Sequence, residues 1–177
     1  MGIQIGAKPD SGFDDPIGML TDCHRRIEKF LHILCIVAER AQDRALTAEE
    51  VAAVEAALRY FPSGGERHTA DEEESLFPRL RQAGAQQILE ELERLENDHQ
   101  TAGNLHATVE SLFSEWIAVG SLKNESRKQL LFATGQLRQL YDAHIQVEEK
   151  IVFPHASHTL DPKAITAIGG EFHARRA

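Results

Sequence analysis

Apolar residues recur along this chain with the spacing of helices, and nowhere with the alternation of strands. From Asp15 to Ala41, residues Leu20, Ile27, Leu31, Leu34 and Ala38 fall on one stripe, and Asp15-Pro16 reads as a cap followed by a first-turn proline. Gln42 to Leu46 form a turn, Thr47 with Glu50 three places on is a capping box, and Val51, Val54, Ala57, Leu58 and Phe61 carry a second helix onward. Pro62-Ser63-Gly64-Gly65 should break or kink it before a helical pattern resumes through Leu76-Phe77 and nears its end at Pro78. Gly84 marks the next turn. A third helix is expected from about Ala85 to Val119, with Leu92, Leu95, Ala102, Val109, Phe113 and Trp116 on one face. Gly120-Ser121 makes a turn, and a fourth helix should run from about Leu122 to Phe153 and stop at Pro154. The connections are short, so neighbouring helices are expected to be antiparallel. The expected architecture is all-α: an antiparallel up-down four-helix bundle over residues 15–155. An N-terminal arm, 1–14, precedes it. A tail, 156–177, follows it as a short C-terminal extension, with Asp161-Pro162 capping a short helix.

Length and composition fit that frame. The 177 residues suit one domain with a self-sufficient core, and 42% apolar with 27% charged residues reads as soluble and globular. The longest apolar runs, such as Leu31 to Ala38, are broken by His32 and far too short to span a bilayer. Met1 to Asp15 holds one lysine and no apolar stretch, unlike a signal peptide, so the expected location is cytoplasmic, with no membrane partner. Nineteen basic against 28 acidic residues give a formal charge of −9, which argues against a nucleic-acid partner. Cys23 and Cys35 lack C-x-x-C spacing, so neither a disulfide framework nor a zinc knuckle is expected. They are read as buried thiols in a reducing compartment.

The nine histidines change the picture because some of them are arranged. His68 to Pro78 and His144 to Pro154 align without a gap as H-x-x-x-E-E-x-x-[LV]-F-P, offset by 76 residues. A further histidine precedes each motif, His24 by 44 residues and His99 by 45. Each half of the chain thus reads as a helical hairpin with the same chemistry, and the two suggest a pseudo-two-fold. In antiparallel helices, residues equidistant from a turn lie at one height. The points halfway between His24 and His68, His68 and His99, and His99 and His144 fall at positions 46, 83.5 and 121.5, all in turns placed from other residues. Four histidines, one per helix, therefore belong to a single interior layer.

The glutamates follow from helical geometry. Residue i+4 lies about 40° round and one turn along from residue i, so Glu72 shares a face with His68, and Glu148 with His144. Glu73, Glu74 and Glu149 are expected to be solvated. Two carboxylates and four imidazoles inside an apolar bundle are costly without compensation, and metal ions are the simplest compensation. Nitrogen and oxygen donors without thiolate suit iron, manganese or zinc. Six ligands are too many for one tetrahedral zinc and suit two metals, each held by two histidines, with Glu72 and Glu148 bridging.

On these residues the chain resembles the hemerythrin-like (hemerythrin HHE cation-binding) domain family, over about residues 15 to 155. The resemblance implies a four-helix bundle around a non-haem di-iron centre. Glu72 and Glu148 would bridge two iron ions together with an oxo or hydroxo bridge from solvent, and His24, His68, His99 and His144 would be terminal ligands. Zinc or manganese is the alternative occupant. In the invertebrate oxygen carriers the third helix supplies a second histidine one turn on, where this chain has Gly103, and their last acid is an Asp at five residues, where this chain has Glu148 at four. The pattern is more similar to the bacterial iron-centre repair proteins and to the iron-sensing domain of a eukaryotic ubiquitin ligase. The implied function is to bind a small diatomic ligand or oxidant such as O2, NO or peroxide, or to sense or store iron. An oxidant-consuming or repair activity, and an interaction module with a structural metal, are the alternatives, all sharing one ligand set.

The remaining candidates carry plainer expectations. His32 and His106, two turns or so beyond His24 and His99, are read as core residues or as partners of the ligands. His155, His158 and His173 are expected at the surface. Asp71 is placed to orient an imidazole N–H, Tyr141 to hydrogen-bond in the pocket or simply to pack, and Gly103 either to pack closely or to open a coordination position.

Overall fold

The structure, a computed structural model, describes residues 10–40 and 44–177. Positions 1–9 of the expected N-terminal arm, the expected end of the first helix at Ala41, and positions 42–43 of the turn after it lie outside the described residues. Four antiparallel rods form, with no strand among the described residues. The first is α1, Pro16–Glu39, opened by the Asp15 side chain, which accepts from Gly18 N. The second is assembled from α2 (Ala48–Tyr60), α3 (Glu66–Asp71) and α4 (Phe77–Gln82), joined by π-helical turns at Phe61–Gly65 and Glu72–Leu76. The third is α5, Leu89–Val119, entered through a 3-10 turn at Gln86–Ile88. The fourth is α6 (Asn124–Val147) and α7 (Phe153–Thr159), joined by a π-turn at Glu148–Val152. Gly84 and Gly120 close α4 and α5 with φ of 77° and 81°, a conformation that suits glycine.

Two expectations about proline are corrected here. Pro62-Ser63-Gly64-Gly65 does not break the second rod, which passes through it as a π-helical turn, and Pro154 does not end the fourth. A proline ring collides with the carbonyl four residues back and offers no N–H. The π-turn removes the conflict by widening the ring to i→i−5, as where Phe77 N bonds Glu72 O and Phe153 N bonds Glu148 O. The proline then follows at the exit of the turn, as Pro78 and Pro154 do.

After the fourth rod, Asp161 accepts from Ala164 N at 2.7 Å and starts α8, Pro162–Ala174. Ile168 and Phe172 of this helix are fully buried, so it belongs to the core. That core is in two parts. One gathers Ile27, Leu31, Phe61, Val109, Phe113 and Leu137, the other Leu20, Leu76, Leu95, Val152, Phe153 and Phe172. The four histidines of the sequence repeat fall between them on every rod. No helix among the described residues is long and apolar enough to cross a membrane.

Candidate metal centre

The structure brings all six candidate side chains into one layer. His24, His68, His144, Glu72 and Glu148 are buried, and His99 is nearly so. His68 Nε2 lies 3.4 Å from Glu72 Oε1, and His99 Nε2 lies 3.3 Å from Glu72 Oε2. His144 Nε2 is 3.3 Å from Glu148 Oε1, and His24 Nε2 is 3.0 Å from Glu148 Oε2. Each glutamate therefore faces one imidazole of its own half with one oxygen and one of the other half with the other oxygen. Two sets of four donors result, His24, His68, Glu72 and Glu148, and Glu72, His99, His144 and Glu148. Within each, the offered atoms lie within 4.8 Å of one another.

These atoms lack ordinary partners. Both oxygens of Glu72 and Glu148, and Nε2 of His24, His99 and His144, are buried without a well-formed hydrogen bond. Buried polar atoms are paired in the great majority of cases, so a cluster of orphans is a departure that needs a reason. The layer's charges are also divided unequally. Burial, and then the neighbouring Glu148, push the Glu72 carboxyl well above the usual range. Burial pushes Glu148 the same way, but His144 and His24 outweigh it and hold Glu148 well below. Burial and the surrounding imidazoles drive His68 well below its ordinary value. Burial and His144 lower His99, and His24 is raised because Glu148 and Glu149 overcome its burial.

Sequence reasoning missed two carboxylates. Glu73 and Glu149 are not free in solvent: Glu73 Oε1 takes a hydrogen bond from His99 Nδ1 at 2.7 Å, and Glu149 Oε1 one from His24 Nδ1 at 2.9 Å. Each stands one residue past the inward-facing glutamate, about a quarter-turn round the rod, and from that flank its long side chain reaches the neighbouring rod. A carboxylate only accepts, so Nδ1 carries a proton and Nε2 is turned toward the layer, where a metal ion would take its lone pair. The exchange is reciprocal: each half orients the upstream imidazole of the other. His144 Nδ1 has Asp98 Oδ2 at 3.5 Å, while His68 Nδ1 is buried without a partner. The signal was present in the sequence, since a Glu-Glu doublet recurs in both halves where one glutamate would serve as a ligand.

Other expectations are corrected. Asp71 orients no imidazole. It is fully buried and bound by Arg175 Nη1 at 2.9 Å and by both Nη atoms of Arg176. His32 is exposed rather than core, and His155 is half-buried rather than at the surface. Tyr141 hydrogen-bonds His106 Nε2 at 3.0 Å, with none of the six. Gly103 packs against nothing, because a Cβ there would meet no atom within 4 Å. Cys23 and Cys35 are buried free thiols. Cys23 Sγ lies 3.1 Å from the Tyr60 hydroxyl.

An antiparallel bundle that turns two sets of histidine and glutamate inward at one level defines a class of cation-binding helical proteins. Residues 15–156 match the hemerythrin HHE cation binding domain, and the chain belongs to that family. An uncharacterized protein of Haemophilus influenzae (strain ATCC 51907 / DSM 11121 / KW20 / Rd) is 29% identical over 167 residues, covering 93% of this chain and 91% of its own length.

Proposed function

We propose that this chain is a cytoplasmic di-iron protein. In this reading Glu72 and Glu148 would serve two ions in common, His24 and His68 would complete the hold on one, and His99 and His144 on the other. The observation that carries it is the split of each carboxylate: its two oxygens face imidazoles of two different sets, at 3.0 to 3.4 Å. Cations placed there would satisfy seven orphaned atoms at once. They would also compensate buried carboxylates that have no lysine or arginine partner among the described residues. A donor set of imidazole and carboxylate suits iron, and manganese or zinc are the competing occupants. Bound iron would supply an open coordination position and a change of oxidation state toward a small ligand such as O2, NO or peroxide.

The protein's own residues do the rest. Glu73 and Glu149 fix the tautomer and aim of His99 and His24. The two apolar clusters keep bulk water from the layer on either side along the bundle. A cavity lined by His99, but by none of the other three histidines, gives the His99–His144 set the accessible side. A purely structural ion would need no such opening, which favours the ligand-binding reading over a zinc-stapled interaction module.

The test is metal analysis after anaerobic loading with ferrous iron, followed by the visible spectrum on oxidation. Two irons per chain and absorption toward the blue are expected, where zinc would absorb nothing. Glu72→Ala and Glu148→Ala should each lose one ion or both. Unchanged iron in both variants would falsify the bridge. Catalytic consumption of peroxide by the loaded protein would favour the enzymatic alternative.

A further inference from the structure

The first and second rods pack together, as do the first and fourth and the third and fourth, but α2 meets α5 at few places. The second and third rods leave a cavity of about 430 Å³ between them, walled by Leu58 of α2, the Phe61–Gly65 turn and α3 on one side and by α5 on the other. A diatomic ligand needs little more than the roughly 30 Å³ that one water occupies in the liquid. Pockets for small organic molecules begin at about 300 Å³, so this one is built for something larger than the ligands already considered.

Its chemistry is specific. The walls are largely carbon, with Phe61 and Ala102 buried, Leu58 and Ala70 half-buried, and Pro62 and Ala107 nearer solvent. Glu66 and Glu110 are exposed at the rim and disfavour an anion, as does the net charge of −9. Tyr141 and His106, both half-buried, form a polar pair in the wall, joined at 3.0 Å, with the His106 ring against Phe61 at a centroid distance of 4.1 Å. A phenol and a neutral imidazole share one hydrogen between them. Either the phenol O–H donates to Nε2 and its oxygen still accepts, or Nε2–H donates and the phenol O–H remains free. A hydroxyl group, which both donates and accepts, satisfies either arrangement. Gly103 leaves the rim open.

We propose that this cavity binds an uncharged, hydroxyl-bearing aromatic molecule, its ring against Phe61 and His106, its hydroxyl on the Tyr141–His106 pair, and one edge beside His99. The site goes beyond the di-iron reading and requires no particular ion.

The experiment is a fluorescence titration of the full-length protein with 2-naphthol, metal-free and iron-loaded, with naphthalene and 2-naphthoate as controls. Saturable 2-naphthol binding at one site is expected, about tenfold weaker for naphthalene, which lacks the hydroxyl, and weaker still for the anionic naphthoate. Tyr141→Phe should bring 2-naphthol close to naphthalene. Gly103→Leu, which fills open space and so should fold, should weaken binding at least tenfold. No saturation, equal binding of naphthoate, or indifference to both substitutions in chains with unchanged circular dichroism would overturn the proposal. Iron content measured on the same samples separates the two readings: iron retained with no naphthol bound sinks only the cavity, and naphthol bound by a chain that takes no iron sinks only the metal pair.

Discussion

The two halves of the chain repeat one motif and anchor it by different means. Both widen into a π-turn at the first glutamate, and both send the second glutamate across to the other half's upstream imidazole. Immediately before the first glutamate, however, the first half has Asp71 and the second has Val147. Asp71 is buried and held by Arg175 and Arg176 at the end of α8. Arg175 also reaches Ser75 Oγ at 2.7 Å and Glu74, and Arg79 pairs with Glu171. Val147 packs against the apolar cluster. The upstream imidazoles differ as well. His24 is stacked on Phe153 at 5.4 Å and 12°, whereas His99 borders the cavity. What the halves share is the geometry of their candidate metal ligands. What separates them is how each turn is fastened and which side lies open.

The largest expected effect tests the charged anchor. Replacing both Arg175 and Arg176 by Ala leaves Asp71 buried without a partner, which should cost about 3 kcal/mol. Asp71→Val, which copies the second half, removes the charge along with its need for a partner and should cost clearly less. Urea unfolding of the metal-free chains measures both. Equal losses in the two variants would mean that the arginines act through general packing of α8 instead.

Next come the paired orienting carboxylates. Glu73→Ala and Glu149→Ala should each weaken metal binding about 10- to 100-fold, the usual cost of removing a ligand's hydrogen-bonding partner. Because the two play the same part on opposite imidazoles, their losses should match within a few-fold, read by competition with a chelator. A loss from one alone would show that the pseudo-symmetry stops at the ligands.

His106 and His32 differ in burial, and the more buried of the two gives a test in pH. Burial lowers His106 to about 4. Below about pH 6.5 the unfolded chain takes up a proton at this residue that the folded chain refuses until about pH 4, so stability falls as pH drops through that window. The slope is about 1.4 kcal/mol per pH unit, or about 2 kcal/mol by pH 5. His106→Gln should flatten the acid limb of the urea midpoint by that amount relative to wild type, and an unchanged limb would mean that the burial of His106 is not what sets it.

That pair also shows what was legible in the sequence. His106 is seven residues past His99, nearly two full turns, and so keeps its face. His32 is eight past His24, about 80° off the stripe, and so faces solvent. The rods, their caps and the common height of the four histidines followed from spacing, because antiparallel helices convert equal distances from a turn into equal depth. The roles of Glu73 and Glu149 did not follow, because a helical wheel shows that they leave the inward face but not that a long side chain on the flank reaches an imidazole of the next rod. The recurring Phe-Pro after each Glu-Glu doublet marks the π-turn that carries them. The partners of Asp71 were hidden for another reason: they lie more than a hundred residues on, and local periodicity carries no record of a contact that only the packing of α8 creates.

The smallest effect concerns how the second helix of each half begins. In α2, Thr47 accepts from Glu50 N and Glu50 accepts from Thr47 N, a complete capping box. In α6 the corresponding position is Lys123, which makes no side-chain cap. The backbones there are nearly the same, φ −68° and ψ 161° at Thr47 against φ −60° and ψ 152° at Lys123, so the missing bond reflects the side chain and not the path of the chain. Thr47→Ala should then cost about 1 kcal/mol, and Lys123→Thr should gain about 0.5 to 1 kcal/mol by supplying an oxygen to an amide of the first turn. The gain should appear as a higher urea midpoint with unchanged iron content, since the cap lies at the far end of α6 from Glu148. If Lys123→Thr leaves the midpoint where it was, the turn at Gly120 already satisfies those amides, and the two hairpins differ less at their starts than at their metal-binding ends.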